Sequence, residues 1–425
     1  MANARAQLAA QRSLVSSASN SPPSSKHGAT PDGRGTKRPA DAPVCDLDPA
    51  QKRPQHFSTG PLAEGISRKL GPIDFWAREG HWPREYFELD MEHILERQSL
   101  LAPRRRSSSA TSITPSDQRP REEKSAPYRD PCYEIILGTK GSFMTKSNLD
   151  ITNANKALCR TLLENSQPTP EDSLFRDDIF QATCDMIHNR NEARVIRDIT
   201  RLIVPSAESL ATFGAKHLDH LVESVNEGWN SAIPLVGARP QPDYSVGFRR
   251  EAFNDGQLAK LSPFVGDFMA RDLSFFMATY YLYFPFLTCE VQRGAGALNV
   301  ADRQNAHSMT LAVRAVVELF RVVKREGEVH RQILAFSVSH DDESVRIYGH
   351  YAVIDGEDTK YYRHPIRKYT FAEPEGKEKW TAYRFTRNLY DVWMPMHFQR
   401  ICSAIDQLPS DLNLEALSGR ATGLS

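Results

Sequence analysis

Two acids and two amides in the middle of this chain have the type and spacing of a hydrolytic metal centre. Asp243 follows Pro242 at the start of "PDYSVGF", Glu290 closes the apolar run "FPFLTCEV", Gln292 stands two residues beyond it, and Gln304 follows a glycine-containing turn. Burying a lone carboxylate at the end of an apolar strand is costly. Glu290 is therefore expected either to pair with Arg249, Arg250 or Arg293, or to serve a cation. Two carboxylates, a backbone carbonyl such as that of Val291 and several waters suit Mg²⁺, a hard ion that keeps much of its hydration. Such an ion can bind a scissile phosphate and activate water for in-line attack. The structural alternatives are a turn acid bonded to backbone for Asp243 and a helix-start residue bonding the turn 294–298 for Gln304. Glu223 and Glu227 are further acids that a centre of this kind could draw on.

For the two carboxylates to meet, strands must set them side by side. "PDYSVGF" (242–248) and "FPFLTCEV" (284–291) read as strands, the second apolar enough to be buried on both faces. If they pair antiparallel, the start of one lies beside the end of the other. Around them the pattern predicts an amphipathic helix over 207–227, capped by Ser206 and stopped at Gly228, and a short strand over 231–237. An insertion, 251–283, carries a helix over 268–283. After a turn over 293–298 comes a helix over 300–325, capped by Asn299 and stopped at Gly327. Strands over 331–340 and 344–353 join through Asp341-Asp342-Glu343. Helical segments over 153–163 and 177–188 precede these elements, and a packing helix over 390–408 closes the domain. The order is α-β-β-β-α-β plus one strand, and the strand-helix-strand crossover implies a parallel pair in a mixed sheet.

In these residues the chain resembles the PD-(D/E)XK, or restriction-endonuclease-like, nuclease superfamily. The resemblance rests on Pro242-Asp243, on Glu290-Val291-Gln292 and on Gln304 in the first turn of the next helix. It implies an α/β fold with a mixed sheet and extra helices, Mg²⁺ held by Asp243, Glu290 and the Val291 carbonyl, and hydrolysis of phosphodiesters. Gln292 stands where the superfamily has lysine and brings no charge to the transition state. The alternative is a catalytically decayed fold that acts as a nucleic-acid or protein binding module. The chain also resembles, over roughly 70–410, an uncharacterised fungal family carrying a domain of unknown function. That likeness is carried by "FWAREGHWPREYF", "RNEARVIRDI", "PDYSVGF", "ALNVADRQNAHSM" and "ILAFSVSHDDESVRIYGHY".

A second candidate surface follows the core. The segment from Lys360 to Arg387 holds eight Lys/Arg against three Glu, interleaved with Tyr361, Tyr362, Tyr369, Trp380 and Tyr383. Basic groups among aromatics can bind phosphates and stack on bases; the alternative is an edge hairpin with its aromatics in the core. His217 and His220 lack a third ligand and read as surface residues. The sequence has no Walker phosphate loop, HExxH or GxSxG.

Composition sets the boundaries. Residues 1–70 are rich in Ser, Pro and single charges and read as a disordered tail. An aromatic helical island follows over 71–102, then a disordered linker over 103–127, the α/β domain over 128–409 and a flexible C-terminus over 410–425. The 53 basic and 53 acidic residues cancel, so any basic surface is local. The six cysteines show no CxxC spacing and fit a reducing compartment. No run is apolar enough to span a membrane. Lys37-Arg38 and Lys52-Arg53 resemble a bipartite nuclear import signal, and Arg104-Arg105-Arg106 is a further basic cluster. The expected compartment is the nucleus, with the partner of the tail left open.

Overall fold

The computed structural model describes residues 121–409 apart from 189, 238, 267–271, 294–296 and 373–375. The tail, the aromatic island, most of the linker, the basic clusters and the C-terminus lie outside the described residues. Helices α1 (Arg121–Arg129), α2 (Tyr133–Thr139), α3 (Asn153–Glu164) and α4 (Phe180–Ile187) lead in. A helical run over 192–203 contains a π-turn at Ile196–Thr200 and precedes α5 (Ala207–Thr212). Then come β1 (Leu221–Ser224), β2 (Tyr244–Phe248), α6 (Asp255–Val265), β3 (Tyr283–Val291), α7 (Ala297–Val322) and β4 (Ile333–His340). β5 (Ser344–Asp355), β6 (Asp358–Thr370), α8 (Thr381–Asn388) and α9 (Met394–Ile405) complete the described chain. Among the described residues no helix is long and apolar enough to cross a membrane.

The fold is mixed α/β. Among the described residues six strands lie in sequence order in one sheet, antiparallel throughout except for the parallel pair β3 and β4. α7 makes that crossover, as a parallel pair requires. Every residue of β3 and of β4 is buried, which explains their near-continuous apolar sequences. On β4, Phe336 packs edge-on against Phe385 and Trp393 of the C-terminal helical run. The alternate residues Ser337 and Ser339 face the other way, toward α7. α7 has 26 residues and is on the order of 39 Å long. In its second half, from Leu311 to Phe320, every residue but Arg314 and Glu318 is apolar and seated in the core.

The two sheet edges are handled differently. β1 is a four-residue edge. The outer edge of β6 is partly covered by the segment 141–145, since Phe143 N–H bonds Tyr361 O at 2.8 Å and Tyr361 N–H bonds Gly141 O at 2.8 Å. Such covering blunts an edge against pairing with other chains. β2 and β3 approach closely at a bulge, where a Cβ on Gly247 would lie 2.7 Å from Tyr283 O. Only glycine fits there.

Four expectations change. The helix from Ala207 ends at Thr212, not 227. Ser206 caps it as expected, but Gly214, at φ +110°, turns the chain, and Ala215 N–H closes on Leu210 O at 2.9 Å. This is the glycine stop of a Schellman motif, and it frees Leu221–Ser224 to form β1. No strand forms over 231–237, where Pro234 removes a donor and Ala232 makes only an isolated bridge to Ser274. The described residues of 268–283 are bends and bridges; the helix of the insertion is α6, begun by a capping box between Asn254 and Gln257. Finally, α7 starts before Asn299, whose side chain accepts from Arg346 at 3.0 Å instead of capping. α7 also stops before Gly327, at Val322, and Lys324 in the turn that follows has φ +57°.

Candidate functional site

The β2/β3 register pairs Tyr244 with Cys289, which sets Asp243 beside Glu290. Asp243 Oδ2 accepts the N–H of Val291 at 2.8 Å, so one carboxylate is pinned to the strand that carries the other. Both acids are almost completely buried, at 4% and 1% exposure. The positive charge that makes this tolerable comes from outside the predicted set. Lys124 Nζ donates to Asp243 Oδ1 at 2.6 Å and to the carbonyl of Gln241 at 2.8 Å, and it lies 4.0 Å from Glu290 Oε2. A buried ion pair of this kind adds little net stability, but removing one partner strands the others and costs several kcal/mol.

Lys124 sits on α1, within "REEKSAPYR", a stretch that composition assigns in part to the linker over 103–127. Its burial is held by neighbours on the same helix and at the start of α2. Ser125 Oγ accepts from Gln292 Nε2 at 3.2 Å. Tyr128 OH and Tyr133 OH meet Nδ1 of His307 at 2.9 and 3.1 Å. Arg303 donates to Tyr128 O at 3.0 Å and to Glu134 at 3.1 Å. Burial, and then the charge of Arg314, push His307 down to about 3, so it is neutral at pH 7. The signal for Lys124 in the sequence is weak, because charges and Pro127 mask the apolar anchors Tyr128 and Tyr133.

The first half of α7 explains why the centre lies where it does. Asp302, Arg303, Gln304, Asn305, His307 and Ser308 are all buried, although each is polar. Because α7 runs back along the parallel pair, this half covers the C-terminal ends of β3 and β4, the place where open α/β sheets gather functional groups. Asn305 ties the layers together: it accepts from Thr288 Oγ1 at 2.6 Å and donates to Val338 O at 3.0 Å and Ser339 Oγ at 2.9 Å. Asp302 takes Arg346 and the Tyr348 hydroxyl, each at 2.9 Å, with Arg363 at 3.6 Å. His340, paired with Val291 at the end of β4, bonds Thr200 Oγ1 at 3.0 Å and Asp341 O at 3.0 Å. Burial lowers its pKa, so it too is neutral. Burial also raises the Cys289 thiol, and the charges of Asp243 and Glu290 raise it further.

The structure thus brings together Asp243, Glu290, Val291 and Gln292, and adds Lys124 and Ser125. Gln304 is 3% exposed on α7, and its Oε1 has no hydrogen-bond partner among the described residues. Glu223 and Glu227 are occupied elsewhere. Glu223 accepts from Ser206 Oγ at 2.6 Å and from Arg201 at 3.2 Å, while Glu227 takes the hydroxyls of Ser224 and Tyr281. Of the arginines considered for Glu290, Arg249 donates to Leu221 O at 2.7 Å, Arg293 lies 3.8 Å from Asp342, and Arg250 is exposed. His217 bonds Asp391 at 2.8 Å and His220 stacks on Phe398.

In the segment 360–387 the aromatics are engaged inside the domain. Tyr361 and Tyr383 are buried, Tyr362 stacks on Phe143 and Tyr351, and Trp380 packs on Phe175. The exposed basic groups there are Lys360, Arg367, Lys368, Lys377 and Arg384, of which Lys360 and Arg367 are paired with Asp358 and Glu378. One further cluster, His188, Asp342 and Glu343, has its ligand atoms within 4.8 Å of one another. His188 and Glu343 are exposed, and nothing else there points to a ligand.

Asp243 and Glu290 offer the hard oxygen donors that Mg²⁺ takes. Both oxygens of Asp243 are already engaged, by Lys124 and by the Val291 amide, and the ammonium lies against both acids. The donor set fits a divalent ion. The Lys124 ammonium fills the space against both acids.

A family model described as a domain of unknown function (DUF7924) matches residues 179–405, more than half of the chain, and the chain belongs to that family. The match covers Asp243, Glu290, Gln292 and Gln304, whereas Lys124 lies ahead of it. No curated protein and no solved structure matches the chain.

Proposed function

We propose that this member of the DUF7924 family is a nuclease-like protein of the PD-(D/E)XK kind, with Asp243 and Glu290 as the acids of a phosphodiester-hydrolysing centre. The observation that carries this reading is the antiparallel register that sets both acids against one ammonium. Support also comes from the order of elements, in which β1, β2 and β3 form a meander and α7 leads to a parallel β4. A divalent ion, when bound, would polarise the phosphodiester and ionise a water. The chain's own residues hold the rest. Val291 N–H fixes the rotamer of Asp243, Gln292 offers an amide without charge, and the cationic group that the strand position lacks is present as Lys124. Nucleic-acid contact through Lys360, Arg367 and Lys368 would be to phosphates, with no base stacking, and so strongly salt-dependent.

The test is cleavage of labelled single- and double-stranded DNA and RNA with Mg²⁺ or Mn²⁺, by the full chain and by a Lys124→Ala variant. Metal-dependent cleavage by either protein that disappears on Asp243→Asn supports the proposal. Binding without cleavage by both supports the second reading, a decayed fold serving as a binding module. That reading is favoured by one observation: no group of the centre is more than 5% exposed. A nuclear site of action belongs to the same proposal and rests on Lys37-Arg38 and Lys52-Arg53. A fluorescent fusion that stays nuclear after all four are replaced by alanine would remove that support.

A further inference from the structure

We infer that α1 is a built-in plug: the Lys124 ammonium occupies the cation place between Asp243 and Glu290, and a divalent ion enters only when α1 withdraws. This rests on the reading of Asp243 and Glu290 as a cation centre, and it adds how that centre is closed. Three observations carry it. The ammonium makes a 2.6 Å contact to one acid and a 4.0 Å contact to the other, so it stands where a bridging ion would. Lys124 is itself 5% exposed and its neighbour Ser125 is 1% exposed, so α1 seals the centre from solvent as it fills it. The plug also comes from outside the matched family region, which begins at residue 179 and carries both acids.

The attachments of α1 suit a removable element. It has nine residues with Pro127 inside, and a proline there forfeits a helical hydrogen bond. It is held by polar contacts, Lys124 to Asp243 and Gln241, Ser125 to Gln292, and Tyr128 to His307 and Arg303, and by one apolar anchor, Tyr128, which packs with Tyr133, Leu137, Val236 and Ala306 in a small cluster separate from the main core. The polar contacts can be exchanged for water when the helix leaves. The acids cannot be exchanged in this way, because two buried carboxylates left together repel and demand a counter-charge. Withdrawal of α1 and entry of a divalent cation are therefore linked: whatever binds the acids in place of Lys124 favours the open form by its difference in affinity.

The experiment is a Mn²⁺ titration of the full chain, followed by calorimetry and by melting temperature, for wild type, Lys124→Ala and Lys124→Met, the last keeping the aliphatic stem. The expected result is Mn²⁺ binding at least about tenfold tighter in both variants than in wild type. Their lowered melting temperatures should be restored by Mn²⁺ but not by matched KCl, and adding Asp243→Asn should abolish the effect. Should a variant be unfolded without metal, Mn²⁺-dependent recovery of its circular dichroism is the readout; recovery supports the plug and its absence overturns it. Wild type that binds Mn²⁺ as tightly as the variants overturns the plug and leaves the cation centre standing. Folded variants that bind no Mn²⁺ overturn the cation centre itself. Variants that bind Mn²⁺ no tighter than wild type and cleave less overturn the plug in favour of Lys124 as a catalytic group.

Discussion

Lys124 and Asp243 are 119 positions apart in the chain and share a 2.6 Å hydrogen bond in the interior. Ser125, the next residue, holds the side chain of Gln292. A helix thus sets an ammonium beside the uncharged Gln292, and on the nuclease-like proposal the two positions should be exchangeable. Gln292→Lys alone places a second ammonium in the same buried pocket and is expected to cost about 2–4 kcal/mol. Adding Lys124→Gln should recover a large part of that loss. A double-mutant cycle by urea unfolding measures the coupling; additive losses would separate the two sites.

Asn305 is the joint between α7 and the parallel strands. Asn305→Ala leaves the Thr288 hydroxyl and the Val338 carbonyl buried without their partner. The expected destabilisation is about 3 kcal/mol by chemical denaturation. A change below about 0.5 kcal/mol would mean that the layers are held by apolar packing alone.

Acid should unfold this domain early. His307 and His350 are pushed down to about 3 by burial and then by nearby arginine charge, and His397 falls well below its ordinary 6.5 for the same reasons. A group whose folded pKa is lowered contributes fully above its unfolded pKa and loses that contribution as pH falls below it, here from about 6.5 downward. Between pH 7.5 and 5.5 each of these three should take away about 1.4 kcal/mol, some 4 kcal/mol together, and buried His340, whose pKa is also lowered, adds to the loss. Urea midpoints at the two pH values check this, and equal midpoints would contradict it.

His397 is the most exchangeable of these. It stacks on Trp393 at 4.2 Å between ring centres, and neither ring nitrogen has a hydrogen-bond partner among the described residues. His397→Phe keeps the ring and removes the buried donor and acceptor. Stability at pH 7 should rise by about 1 kcal/mol, and the acid sensitivity should lose one of its contributors. A fall in melting temperature at pH 7 would show that the imidazole is satisfied.

Much of the core was legible because its residues follow one rule at a time. β3 and β4 are apolar throughout since both faces are covered, and Pro242-Asp243 and Glu290 stand at strand ends where an antiparallel register joins them. Elements failed where a local signal competed with the periodic one. Gly214 ends α5 in the middle of an apolar stripe that continues to Val225, and Pro234 breaks a run that otherwise suits a strand. α1 was hidden for another reason. Its lysine is buried by a tertiary partner more than a hundred residues away, and composition cannot see such a partner. The polar half of α7 was visible only as a likeness in "ALNVADRQNAHSM", because sequence alone does not tell a buried polar face from a solvated one.

The most direct measurement is anomalous X-ray diffraction from Mn²⁺-soaked crystals of the Lys124→Ala chain. A manganese peak bonded to Asp243 and Glu290, absent from wild type under the same soak, is the predicted result. A peak at His188, Asp342 and Glu343 alone, or none at the acids, would contradict a cation centre between β2 and β3.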